Sequence, residues 1–129
     1  MGFVFEVSDR EFWGPSLNTG RVFLSQLKLI EQILEEKSGV SEYMPDTINV
    51  ELEQLSSFTR SLLSSNLMSN KSLRVLCAGV VRHLVAFLIC NCALSDELRE
   101  TVSCDDLQSA ADLAQTLMQG DAGDRVGQP

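Results

Sequence analysis

The sequence has one histidine, His83, among 129 residues, and its eight glycines form no glycine-rich loop between a strand and a helix. A single histidine excludes a metal site built from several imidazoles. The scattered glycines argue against a phosphate-binding loop, and no serine lies in a nucleophile elbow. We therefore expect no catalytic residue, no metal and no cofactor, and the pattern favours a non-catalytic protein over an enzyme.

Positive charge is scarce. Ten lysines and arginines stand against eighteen aspartates and glutamates, which gives a net charge of −8 and a pI near 4.5. Such a balance repels nucleic acid and anionic membrane surfaces, and it favours solubility or a basic partner. The sequence therefore predicts a protein partner and no binding to nucleic acid or membrane.

The N-terminal stretch has no positive region followed by a long apolar run, so we expect no secretory signal. The sequence thus favours a cytoplasmic protein, and its four cysteines are then expected to be thiols rather than disulfides.

The longest apolar run extends from Leu73 to Leu94 and is long enough to span a bilayer. Arg82 and His83 stand near its middle, and an arginine at that depth costs about 2.5–3.5 kcal/mol on insertion scales. The run is therefore interpreted as the central helix of a soluble fold, over 72–94.

Alternation of apolar and polar residues at Phe3, Phe5 and Val7 predicts a short strand. It is expected to pair either with a second strand at 47–50 or, if these two do not pair, across a dimer. Elsewhere the apolar period is helical. After Thr19 the predicted buried stripe is Phe23, Leu27, Ile30 and Leu34, widened by Val22, Leu29 and Ile33.

These patterns predict a mostly α, mixed α+β fold. Four to five helices would form a bundle around the central apolar helix, with a short N-terminal strand or a two-stranded edge. Residues 1–119 are predicted to form one globular domain. The last segment, 120–129, holds two glycines, a terminal proline and one apolar side chain, and is predicted to be a disordered tail.

Several short motifs carry a resemblance. The strand at 3–7 is followed by Phe12-Trp13-x-Pro15-Ser16, then by Gly20-Arg21-Val22-Phe23, and later by Met44-x-Asp46 ahead of Val50-Glu51-Leu52. In these motifs the chain resembles a small uncharacterised bacterial protein family with no established activity. The resemblance implies a bacterial cytoplasmic protein and says nothing of mechanism.

The preferred hypothesis is a small acidic interaction protein, of the immunity type or a regulatory inhibitor, whose helix faces bind a basic partner such as a toxin. The predicted partner-binding residues are Trp13, Arg21, Glu35, Glu36, Glu51 and Glu53.

Two alternatives stay open. A small-molecule or enzymatic pocket would lie near Trp13, Arg21, Arg82 and His83. If they line no pocket, Arg82 and His83 are expected to be buried together and paired with an acid such as Asp46, Glu51 or Glu97. The second alternative, compatible with the others, is a homodimer formed through the apolar central helix.

Overall fold

The computed structural model describes residues 2–118. The predicted tail at 120–129 lies outside the described residues, as do residues 1 and 119. Over the described range the chain forms four strands and six helices. In chain order these are β1 Val4–Val7, β2 Arg10–Trp13, α1 Leu17–Leu34, β3 Val40–Met44, β4 Thr47–Val50, α2 Leu52–Leu63, α3 Asn66–Ser69, α4 Lys71–Cys90, α5 Asp96–Thr101 and α6 Cys104–Met118.

The mostly helical α+β class is therefore confirmed. A bundle of four to five helices is not, because α3 and α5 are only four and six residues long and the helices pack together with a four-stranded sheet. The sheet is larger than the predicted two-stranded edge.

The sheet has the strand order β2-β1-β4-β3. Its two central strands, β1 and β4, are parallel, with Phe5 opposite Ile48, so the predicted pairing of these segments is confirmed. Each central strand also forms an antiparallel hairpin, β1 with β2 and β4 with β3. The hairpin turns contain Ser8, Asp9 and Asp46 at positive φ, a conformation for which glycine is the usual residue.

One hydrophobic core joins the sheet to the helices, and Phe5 of β1 is fully buried in it. Its ring lies 5.9 Å from that of Phe23 in α1 and 5.8 Å from that of Phe87 in α4, measured between centroids. Both helices are thereby fixed against the same strand. On the other side of α4, Cys90 Sγ lies 3.5 Å from the carbonyl oxygen of Ala114, because buried alanines let α6 approach closely.

Helix α4 is long and apolar enough to cross a membrane by length and composition, yet half of its apolar window is buried inside the fold. The buried part is its C-terminal half, which includes Val80, Leu84 and Phe87. These residues belong to the hydrophobic core of the fold. The N-terminal residues of the helix, 71–76, are all exposed.

Helix α1 packs closely on the N-terminal segment at Gly20. A Cβ atom at this position would lie 2.2 Å from Cδ2 of the buried Phe3 ring. We predict that Gly20→Ala lowers the free energy of unfolding by about 1–3 kcal/mol, because the Phe3 ring has to move within a packed core.

The matched control is Gly79→Ala in α4, where a Cβ atom would meet nothing within 4 Å. This variant should gain about 0.5–1 kcal/mol from helix propensity alone. Urea denaturation of dilute protein measures both changes, and equal effects of the two variants would contradict the close packing at Gly20.

Candidate functional site

Four rings from three elements form an aromatic cluster beside the sheet. The Trp13 ring of β2 lies 5.6 Å from Phe23, 5.3 Å from His83 and 5.4 Å from Phe87. Trp13 is only 5% exposed, so it closes the core. This corrects its assignment as a partner-binding residue, because the side chain offers a partner almost no surface.

His83 lies on the edge of this cluster, half-buried, with its ring 5.4 Å from that of Phe23. Its Nδ1 is 2.8 Å from the carbonyl oxygen of Gly79, one helical turn earlier. Burial lowers the pKa of His83 below its ordinary value of 6.5; the bond to Gly79 opposes this shift and the charge of Arg82 adds to it. With Nδ1 donating to Gly79, the neutral ring fits this position.

Arg82 is exposed, although it is adjacent to His83 in sequence. It lines a groove of about 430 Å³ between α4 and the α5–α6 junction, together with Arg74 and Asp106. Within residues 2–118, one ion pair forms, between Arg60 and Glu97, at 3.7 Å. The predicted burial of Arg82 with His83 against an acid is therefore wrong.

Of the four residues of the predicted small-molecule pocket, Trp13 and His83 are in ring contact, but the four do not line one common cavity. They line four separate cavities in the described part of the chain: Trp13 faces one beside β2 and α6, Arg21 one beside the β3–β4 turn, Arg82 the groove near α5, and His83 one between α1 and α4. The arrangement therefore offers no convergent set of polar groups around one ligand.

Of the predicted glutamates, Glu36 lies near the end of α2, where it bonds to Ser61, and Glu51 and Glu53 lie at its start. The loop after α1 is attached there by Gln54 Nε2, which donates to the carbonyl oxygen of Lys37 at 2.7 Å, and by the Glu51 amide, which donates to Gly39. Glu35, Glu51 and Glu53 are exposed. Glu36 is half-buried and accepts a hydrogen bond from Ser61 Oγ at 3.0 Å, so it serves the fold.

Charge is divided unevenly over the surface. Helices α1 and α4 together carry five of the ten basic residues and one of the eighteen acidic ones. Residues 95–118, which form α5 and α6, carry six acidic residues and one basic one. An acidic surface and a mildly basic surface therefore lie on different helices, which net charge alone did not indicate.

A feature that sequence reasoning missed is an exposed apolar surface on the two basic helices. Val22, Leu29 and Ile33 of α1 were predicted to widen the buried stripe, but they are 59%, 57% and 55% exposed. On α4, Val75 and Leu76 are 68% and 73% exposed. Large apolar side chains left in water and close together are typical of a docking surface.

None of the four cysteines, all within the described residues, forms a disulfide, and burial raises the pKa of the Cys77 thiol. In residues 2–118 no group of three or more His, Cys, Asp or Glu side chains is placed to hold a metal ion.

The profile of a family of unknown function (DUF6086) matches residues 1–118, and the chain belongs to this family. No curated protein and no solved structure matches the chain significantly. The predicted resemblance to an uncharacterised family is confirmed.

The environment of His83 predicts how stability depends on pH. The unfolded chain takes up a proton near pH 6.5, whereas the folded chain does so only at lower pH, so protonation favours unfolding. The free energy of unfolding should therefore decrease as the pH is lowered from about 7.5 to about 5.5. In this range the sole histidine takes up its proton, whereas most carboxylates do so only at lower pH.

The variant His83→Asn should flatten this dependence, because an asparagine amide can donate to the carbonyl one turn back without titrating. Asn91, the residue directly after this helix, makes that bond from Nδ2 to Phe87 O at 2.8 Å. Urea midpoints for both proteins across this pH range provide the measurement. An unchanged slope in the variant would show that His83 is not the group responsible.

Proposed function

We propose that this member of a family of unknown function is a small, non-catalytic protein-interaction module that binds a basic protein through its acidic helices. An inhibitor of the immunity type, or a regulatory binder, is the class of protein that fits this description. The observation that carries the proposal is the division of charge, with six acidic residues against one basic residue at 95–118.

The acidic residues of α5 are continuous with α2. Glu97 is paired with Arg60 at the end of α2, and both side chains are largely exposed, at 71% and 48%. An exposed pair of this kind adds little to stability, so the carboxylate remains accessible to a cation on a partner. Glu51 and Glu53 lie at the opposite end of α2, and Glu35 precedes Glu36, which is bonded to Ser61. We propose that these three exposed carboxylates, Glu35, Glu51 and Glu53, extend the same surface.

A concentrated field of one sign speeds association with a partner of the opposite sign and makes the rate sensitive to salt. This is the physical advantage of an acidic inhibitor that has to reach a basic toxin or nuclease quickly. The proposal includes a bacterial cytoplasmic setting, in which the four free cysteines would remain thiols.

The alternative, a small-molecule or enzymatic site near Trp13, Arg21, Arg82 and His83, has less support. Its four residues line separate cavities, and Trp13 is buried among other rings. Chemistry at a single ligand requires groups that converge on it.

The test begins with capture of the partner from the source cell, followed by measurement of its association rate against salt. We expect the rate to fall at least about tenfold from low to physiological salt. In the double variant Glu97→Gln and Glu100→Gln, the rate at low salt should fall several-fold and the salt dependence should weaken.

The matched control is Arg21→Gln with Lys28→Gln on α1, which changes the net charge by two in the opposite direction. It should leave the rate nearly unchanged if α5 faces the partner. If the two double variants change the association rate by equal amounts in opposite directions, the rate depends only on the net charge of the protein. That result would overturn the assignment of the binding surface to α5. A rate that does not respond to salt would overturn the proposal itself.

A further inference from the structure

Exposed apolar residues of α1 and α4 form a surface that we call the α1/α4 face. Its residues are Val22, Leu29 and Ile33 on α1 and Leu76 and Gly79 on α4. Residues spaced by three, four or seven share one side of a helix, so each helix contributes one strip of surface. The four apolar side chains are between 55% and 73% exposed, and the described part of the protomer therefore leaves the face in water.

The two strips meet in an open groove between the helices. Val22 and Gln26 of α1 and Gly79 and His83 of α4 line this groove, which has a volume of about 360 Å³. The buried ring of Phe23 also lines it and lies 5.4 Å from the His83 ring. Because both rings belong to the aromatic cluster, the core holds the floor of the groove in place before any partner arrives.

The two helices run in opposite directions beside this groove. Phe23, in the first half of α1, packs on His83 and Phe87 in the second half of α4. Just after the other end of α1, Glu36 accepts a hydrogen bond from Ser61 near the end of α2, and α2 leads through α3 into the start of α4. The C-terminal part of the α1 strip therefore lies toward the same end of the fold as the exposed beginning of α4.

Gly79 exposes the α4 backbone within the face. It lies in the interior of a twenty-residue helix, where glycine is less favourable than alanine, and a Cβ atom there would meet nothing within 4 Å. Nothing in the described protomer therefore requires a glycine at this position. A helix that packs on the outside of α4 can approach the backbone closely where no side chain separates the two.

Basic residues border the face along α1. Arg21 lies two residues before Phe23, so it is about 200° around the helix from the ring that faces α4. Lys28, seven residues after Arg21, shares its side of the helix, and both are exposed. Glu31, the one acidic residue of α1, accepts a hydrogen bond from the Ser38 amide at 2.9 Å and is thus held by the loop that follows the helix.

Basic residues also border the face along α4. Lys71 and Arg82 are eleven residues apart, which is about three turns, so they share one side of the helix. Arg82 lines the separate groove at the α5–α6 junction, which places this side away from α1. Helix α4 has no acidic residue, and the one ion pair within residues 2–118 joins Arg60 to Glu97. The four bordering cations therefore form no ion pair within the described part of the chain.

The sign of these charges decides what can cover the face. A second copy that docks through the same face would set cations against cations. An apolar groove with basic borders is complementary to a helix whose apolar stripe has acidic residues on both sides. The acidic helices α5 and α6 cannot supply such a stripe, because their apolar sides are buried in the core at Leu98, Ala110 and Ala114. The helix therefore has to come from a different protein.

We propose that the α1/α4 face binds an acidic amphipathic helix of another protein. The apolar stripe of that helix packs against Val22, Leu29 and Leu76, its backbone passes over Gly79, and its carboxylates pair with the four bordering cations. The α1 strip extends for about 17 Å from Val22 to Ile33, which corresponds to about three turns of the bound helix. The acidic residues of α5 are not part of this face, so the inference does not depend on the proposed function.

Fluorescence anisotropy with the full chain and labelled helical peptides tests the proposal. The acidic probe has leucines at positions i, i+3, i+4 and i+7 and glutamates on both sides of this stripe. A second peptide has lysine in place of each glutamate, and a third has serine in place of each leucine. We expect a Kd on the order of 10–100 μM for the acidic probe and a Kd at least about tenfold higher for the other two peptides.

Two substitutions test the apolar part of the face. Leu76→Ser should raise the Kd of the acidic probe at least about fivefold. Met118→Ser is the matched control, because Met118 is an apolar residue of similar exposure, at 59%, at the end of α6, and it should leave the Kd unchanged. Both variants should fold like the parent protein by circular dichroism, since neither side chain is in the core. Gly79→Ala should raise the Kd several-fold while it raises the urea midpoint.

A double substitution tests the basic border. Arg21→Gln with Lys28→Gln should raise the Kd of the acidic probe several-fold at low salt and leave the urea midpoint nearly unchanged, because both side chains are exposed. The matched control is Arg60→Gln with Arg99→Gln, which removes the same two charges from α2 and α5. Equal effects of the two double variants would mean that the peptide responds only to net charge, and would overturn the proposal.

An acidic probe that does not bind at about 1 mM, or that binds no better than the lysine peptide, would also overturn it. So would equal weakening by Leu76→Ser and Met118→Ser. A chain that sediments as a dimer without peptide, and whose dimer Leu76→Ser dissociates, would give the face to a second copy instead. A chain that binds anionic phospholipid vesicles but not the acidic probe would give it to a membrane surface, and either result would overturn the proposal.

Discussion

The contact of Phe5 with Phe23 and Phe87 is the interaction on which the rest of the fold depends. One fully buried ring on a central strand lies within 6 Å of one ring from α1 and one from α4. Aromatic pairs in such tilted arrangements add to the free energy of burying their area. Because Phe87 is near the C-terminal end of α4, this contact also determines which half of that helix is covered.

Helix α4 is only partly covered by the rest of the fold because it is longer than the strands of the sheet. A helix of twenty residues extends for about 30 Å, whereas strands of four or five residues extend for only about 13–17 Å. Val75 and Leu76 lie about 17 Å along the helix axis from Phe87, which contacts the sheet, and α3, with four residues, is too short to cover the beginning of α4 on all sides. The exposed Val75 and Leu76 follow from this geometry.

Much of the fold could be predicted, because the spacing of apolar residues in β1, β4 and the C-terminal half of α4 matches the burial of their side chains. The edge strand β3 could not be predicted, since it is mostly exposed and shows no alternation. Nor could the hairpin turn at Ser8 and Asp9, which reaches positive φ without the usual glycine. Periodicity shows which residues share a helix face but not whether that face is covered, so Val22, Leu29 and Ile33 were assigned to the core.

The candidate site was predicted less well, for a related reason. Arg82 and His83 were expected to be buried together because they interrupt the same apolar run, but neighbouring residues on a helix point about 100° apart. One ring therefore packs on Trp13 and Phe23 while the guanidinium extends into water. Of the predicted partner-binding residues, the structure leaves Glu35, Glu51 and Glu53 exposed and buries Trp13.

The division of charge and the apolar face have a common physical basis. An acidic surface keeps the chain soluble, but the same charge opposes any contact between two copies. The five basic residues and one acidic residue on α1 and α4 give the helices that expose these apolar side chains a local charge opposite in sign to that of the whole chain. The acidic residues of α5 and α6 lie on other helices, so one small domain carries two surfaces of opposite charge.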